Sequence, residues 1–287
     1  MAIRKEQTIE LSTKKTLEVH TECYDCANDV VEDCKNRPVR ISGYRVSGSF
    51  KKDWEGVSTY DEALALLRDG YQSAVENFKN ALKVSDKYGP RFAFENNVHG
   101  FAPIVPLAIK GIPTCMHNMT LRPLKAKVLD VYYDTGVIAS YGPEQLIKAG
   151  ETVLGTILEL ERMGYKFNLY AVQSYYGPSQ KALDILCVKV KSSNTPLDLK
   201  RMAFPLVHPA FFRVIGFDWQ GKSPVTRDIG CGRGKDFATN VSKEDVKMVI
   251  TTTFGNNACY IPATTIMDSN YNKDVLKKIF TDVKPKK

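Results

Sequence analysis

The sequence lacks any apolar run of the roughly 18–20 residues that a membrane-spanning helix needs. Its first ten residues carry charges with no apolar core behind them, so a secretory leader is not expected either. Histidine is scarce. There are four in 287 residues, and His99, His117 and His208 fall in different segments from His20 and from one another. No strained nucleophile elbow, P-loop, His-Glu-x-x-His or EF-hand pattern occurs, so the familiar signatures of hydrolases, nucleotide hydrolases and zinc proteases are missing. Internal repeats and low-complexity tracts are also missing, which argues against solenoids and disordered chains. The seven cysteines are odd in number and scattered, unlike the framework of a small secreted domain. They read as reduced thiols of a cytoplasmic protein.

What remains is an ordinary globular composition, 43% hydrophobic and 25% charged, in a chain long enough for one large domain with or without a smaller appendage. The formal charge of +8 invites a nucleic-acid reading, but it is unevenly placed. Residues 273–287 hold six lysines and two aspartates, so half of the excess sits on a short tail ending in Lys284, Lys286 and Lys287, and the body is nearly balanced. Such a tail reads first as a solvated end and second as a contact for phosphate.

Residues 17–19 suit a short strand. Tyr24, Ala27, Val30, Val31 and Cys34 recur at helical spacing, and Pro38 ends that helix. Thr59 followed by Glu62 is a capping box for a helix over residues 60–69, closed by Gly70. Ala74 to Leu82 repeats as a second amphipathic helix. Pro103, Pro106, Pro113 and Pro123 then deny a long helix, leaving an apolar connector with short extended pieces. From Val128 to Tyr133 an apolar run predicts a buried strand, and Pro143 stands at the first position of a long helix over residues 143–160. Alternation over residues 166–172 predicts a second strand, so strand, helix and strand form a right-handed βαβ unit. Residues 185–190 and 246–254 read as further strands. Two short helical stretches flank Pro205, and Leu276, Ile279 and Phe280 mark a last helix. The division expected is a mixed, mainly helical region over residues 1–120 and an α/β domain over residues 121–287.

Three motifs could carry chemistry. His20, Cys23, Cys26 and Cys34 contain one Cys-x2-Cys knuckle, half of a zinc site. A second knuckle is missing, and Cys34 falls on the apolar stripe of the helix, so the competing reading is ordinary core cysteines. Asp228 to Gly234 is glycine-rich and resembles the first motif of S-adenosylmethionine-dependent methyltransferases. No buried strand precedes it and too little chain follows, so it reads as a surface loop. Arg233 and Lys235 beside it could still hold a phosphate. The loop of Asp134, Thr135, Gly136 and Ser140 lies where open parallel sheets bind ligands, and its aspartate could hold a metal or bond to its own loop.

The segment from Asp130 to Val172 resembles the opening of a von Willebrand factor A domain: an apolar strand, an Asp-led loop, a long helix, Gly164-Tyr165 and a second strand. In that family an Asp-x-Ser-x-Ser loop holds magnesium. Here Asp134 matches, but Gly136 and Ile138 replace the serines, so the resemblance implies a fold that has lost its metal site. A longer resemblance covers much of residues 54–222. It is to an uncharacterised phage-borne family with a degenerate domain of this type, through Tyr60-x-Glu62-Ala63, Gly111-x-Pro113 and the block from Pro196 to Pro209 with Phe211-Phe212-Arg213. It implies a von Willebrand A-like, Rossmann-type sheet flanked by helices, and phage or prophage origin. It also implies a location in host cytoplasm or virion, and a non-enzymatic role binding a protein partner such as an ATPase or virion component. The binding residues expected are Asp134, Thr135, Gly136 and Ser140, with His208 and Arg213 beside them. The alternative is nucleic-acid binding through Arg233, Lys235 and the lysine tail.

Overall fold

The computed structural model describes residues 2–40, 50–74, 76, 92–121, 128–137, 139–162, 164–177, 181–195, 198–223, 237–267 and 273–282. The apolar runs of the chain's second half assemble a mixed sheet. Val128–Asp134 (β6) is buried along nearly its whole length and pairs in parallel with Lys166–Gly177 (β7) and with Ala258–Pro262 (β9). Pro143–Arg162 (α5) makes the crossover from β6 to β7, with Leu146, Ala149, Val153, Leu154 and Ile157 buried at the expected helical spacing. Ala182–Lys191 (β8) returns antiparallel to β7.

The N-terminal chain completes the same sheet. Thr16–Tyr24 (β2) pairs in parallel with β8, and Ile3–Glu10 (β1) pairs antiparallel with β2. The resulting order is β1-β2-β8-β7-β6-β9. The sheet thus draws on both sides of residue 120. Leu17 to Val19 does fall in a strand, but that strand runs on to Tyr24, and the helix after it, Ala27–Lys35 (α1), starts later than the spacing suggested. Among the described residues before residue 120, helices and strands are both present. The polar β1, largely exposed at a sheet edge, leaves little apolar period to read.

Helices cover both faces. On one, Val131, Tyr133, Phe167, Leu169 and Leu186 pack under α1, α5 and Leu199–Val207 (α6), with Phe217–Lys222 (α7) adding Trp219. On the other, Leu17, Val19, Tyr132, Val172 and Ile185 pack beneath Phe237–Asn240 (α8) and Lys243–Phe254 (α9). The molecule is a three-layer α/β arrangement. The expected strand over residues 246–254 is corrected to α9. Ser242 caps that helix by accepting from the Asp245 N–H, and the cap outweighs the β-branched run Val249 to Thr253.

The capping box at Thr59 forms as expected at the start of Tyr60–Asp69 (α3): its hydroxyl accepts from the Glu62 N–H, and Glu62 reaches back to the Ser58 N–H. Pro205 does not divide two helices. It lies inside α6, and Phe211–Gly216 follows as a π-helical turn. Phe92–Asn97 (β3), Ala102–Pro103 (β4) and Met116–Leu121 (β5) form a separate sheet in the order β3-β5-β4, with Val105–Ile109 (α4) between β4 and β5. Among the described residues, no helix is long and apolar enough to cross a membrane.

Candidate functional site

The C-terminal end of β6 places Asp134 beside the ends of its two parallel neighbours. Its carboxylate accepts from the Gly136 N–H at 2.8 Å and the Ser174 N–H at 3.2 Å, and also from the hydroxyls of Ser174 and Tyr260. Thr135 adds a backbone bond to the Val172 carbonyl at 2.9 Å. A side chain at Gly136 would meet the Ser174 carbonyl at 2.8 Å, so the loop lies tightly on the end of β7. The carboxylate of Asp134 therefore bonds to its own loop and ties β6, β7 and β9 together. Ile138 lies outside the described residues.

Arg213 is 2% exposed. Its guanidinium donates to the carbonyls of Trp54 and Tyr141 and lies 4.4 Å over the Trp54 ring. Trp54, on Lys52–Glu55 (α2), in turn donates its indole N–H to the Ala139 carbonyl at 3.1 Å. Burial lowers the Arg213 pKa to about 10, which still leaves it charged at neutral pH. The exposed Ser140 is thus held between two anchored carbonyls. His208 takes an extended backbone before Pro209, as a residue preceding proline does. Its ring packs edge-on to Tyr71 at 4.8 Å, and its Nδ1 accepts from the Ala210 N–H. A Cβ on Gly56 would lie 2.9 Å from the His208 ring, so His208 and Arg213 border the same short segment, residues 54–56.

The structure thereby brings Arg213 to the loop that follows Asp134. Ser174, Tyr260 and Trp54 were missed from sequence. Ser174 alone had an available signal: parallel strands put their C-terminal ends side by side, so the residues after Val172 had to flank Asp134.

His20, Cys23, Cys26 and Cys34 are not gathered. Residues 20 and 23 are an odd number apart in β2 and point to opposite faces. Cys26 is exposed at the start of α1, and Cys34 is buried in the core with its thiol pushed up to about 12 by burial. Among the described residues, no group of three or more His, Cys, Asp or Glu side chains is placed to hold a metal ion. Arg233, Lys235, Lys284, Lys286 and Lys287 lie outside the described residues.

A second polar cluster lies under α7. Glu22 is fully buried and accepts from Arg37, Tyr24 and Trp219 at 2.7–2.8 Å and from Arg4 at 3.2 Å. Burial pushes its carboxyl up, but these bonds outweigh burial and hold it below the usual range. His20 sits 3.8 Å from both Glu22 and Asp184 and is held below its ordinary pKa, chiefly by burial. Through Glu22, Tyr24 and Trp219 the cluster ties β2 to α7, and through the Tyr24 bond to Asp33 it ties β2 to α1.

The small sheet has the opposite character. Phe101, Ile109, Val105, Val98, Met119 and Ile112 are all exposed, at 64, 81, 57, 53, 47 and 37%. None of these side chains joins either core.

A mixed α/β sheet covered by helices on both faces defines an α/β protein. Within that class, the chain matches over residues 7–284 the model of a domain of unknown function, DUF7192, and it belongs to that family. No curated protein and no solved structure matches it.

Proposed function

We propose that this protein is a non-enzymatic interaction or assembly protein that engages a protein partner, built on a von Willebrand A-like sheet and of phage or prophage origin. The observation that carries the interaction reading is the series of exposed apolar side chains in and around the small sheet. Among the described residues, six of the eight large exposed hydrophobic side chains lie within residues 98–119, and none of the six joins either core. A grouped apolar surface of this kind marks contact with another macromolecule more often than isolated exposed residues do.

The von Willebrand A-like reading is supported by the run of β6, the Asp134 loop, α5 and β7. Because Asp134 accepts from four protein donors, its loop serves as a brace rather than as a metal ligand. The phage origin rests on the sequence resemblance alone.

The test is affinity capture from infected cells with the tagged protein and with a Phe101→Ser, Ile109→Ser double variant, each split into nuclease-treated and untreated halves. A stoichiometric protein that survives nuclease and is lost with the double variant supports the reading. Capture that vanishes with nuclease but is unchanged in the double variant overturns it in favour of nucleic-acid binding.

A further inference from the structure

Cys23 and Cys187 stand directly opposite each other in the parallel register of β2 and β8. Opposed residues on adjacent strands point to the same face, and a strand spacing of about 4.8 Å falls within the Cα separation that a disulfide spans. The register therefore sets the two thiols side by side, close enough for each to perturb the ionisation of the other. They are not equivalent. Cys187 is 1% exposed, whereas Cys23 is only partly buried and opens into a cleft of about 240 Å³.

That cleft has a composition suited to a small anionic ligand. Tyr132 stacks on Tyr170 at 4.6 Å and on Phe254 at 4.2 Å, giving one aromatic wall. Lys5 and Lys189 line it together with one carboxylate, Asp25, so its charged groups sum to +1. Thr21, also lining it, is 1% exposed, and its hydroxyl has no hydrogen-bond partner among the described residues.

We propose that Cys23 and Cys187 form a redox-active dithiol that reacts with a small anionic disulfide entering the cleft between Lys5 and Lys189. Cys23 is the attacking sulfur, because it is only partly buried whereas Cys187 is 1% exposed. Beside Cys187 the Cys23 thiol is held below its ordinary pKa, while burial pushes the Cys187 thiol up, so Cys23 is the sulfur with the larger thiolate fraction. In the first step the Cys23 thiolate attacks one sulfur of the ligand, forming a mixed disulfide and releasing one thiolate. In the second, Cys187 loses its proton and attacks the Cys23 sulfur, closing the Cys23–Cys187 bond and releasing the second ligand thiolate. The pair is oxidised by two electrons and the ligand disulfide is reduced to two thiols.

Oxidised glutathione is the probe, with uncharged hydroxyethyl disulfide as the comparison, acting on the folded full-length chain. Fragment-ion mapping must separate Cys23 from Cys26 and Cys34. In the wild type the expected product is a Cys23–Cys187 cross-link and the loss of two hydrogens. In Cys187→Ser the expected product is a stable glutathione adduct on Cys23, because the sulfur that would displace it is gone. Lys5→Glu should slow the glutathione reaction several-fold and leave the uncharged disulfide unaffected. Glutathione found on Cys26 with no Cys23–Cys187 link in the wild type overturns the proposal whatever the variants do. A Cys23 adduct that never closes onto Cys187 overturns the resolving role.

Discussion

At the scale of single residues, the chain uses its buried polar groups as fasteners. Asp134 ties three strand ends, Arg213 holds two carbonyls, and Glu22 collects four donors. His208 is the residue whose ionisation this arrangement constrains most visibly. Burial pushes its imidazole from 6.5 down to about 4. Between those values the unfolded chain binds a proton that the folded chain refuses. The stability is therefore present above pH 6.5 and is lost as pH falls through the window. Between pH 7 and 5 the loss from this group is about 2 kcal/mol. His20, also held below its ordinary pKa, works in the same direction. The lowered carboxyl of Glu22 adds its own loss only at still lower pH. A His208→Asn variant keeps an acceptor for the Ala210 N–H and removes the titration. Its melting temperature should fall by several degrees less than that of the wild type between pH 7 and pH 5. Equal falls for the two proteins would show that the His208 site does not exclude the proton.

At the scale of elements, legibility followed apolar periodicity. The β6–α5–β7 unit could be read because Val128 to Tyr133 and the stripe from Leu146 to Leu158 announce their periods without interruption. The helix α9 was misread because Val249-Ile250-Thr251-Thr252-Thr253 is a β-favouring run, and the cap at Ser242 that decides the matter lies seven residues upstream. The strand β1 was missed because its register partner, not its composition, makes it a strand. In the candidate site, Asp134 was legible from its place at a strand end. Ser174 follows from the pairing of β6 with β7, but Tyr260 and Trp54 were not legible, because each reaches the loop only through tertiary packing. The contact of α5 with α6 is of the same kind. A Cβ on Gly150 would lie 2.4 Å from the Leu206 carbonyl oxygen and 2.7 Å from the Val207 Cα. In an exposed helix, replacing glycine with alanine stabilises by about 0.4–1 kcal/mol. Here the backbone of α6 must move, and overpacking of this type costs about 1–3 kcal/mol. Gly150→Ala should therefore lower the urea midpoint without changing the slope of the transition. A raised midpoint would mean that the two helices stand further apart than described.

At the scale of the whole molecule, the structure separates what holds the chain together from what it presents to a partner. Both cores form on the two faces of the large sheet, between strands from the first 24 residues and strands from the second half. The exposed apolar side chains of residues 98–119 join neither core. Replacing Phe101 and Ile109 by serine removes side chains that are 64% and 81% exposed, so little burial is lost on folding. Surface changes of this kind stay within about 0.5 kcal/mol. At this chain length that is a shift of about 1–2 °C in melting temperature. The same double variant should bind markedly less of a fluorescent hydrophobic dye at neutral pH, because it removes the two largest contributions to the exposed apolar face. A melt unchanged to within that range, together with reduced dye binding, would establish the face as dispensable for folding and available for contact. A drop of many degrees would instead place Phe101 and Ile109 in a third core. The capture experiment with this variant would then report unfolding and not the loss of a docking surface.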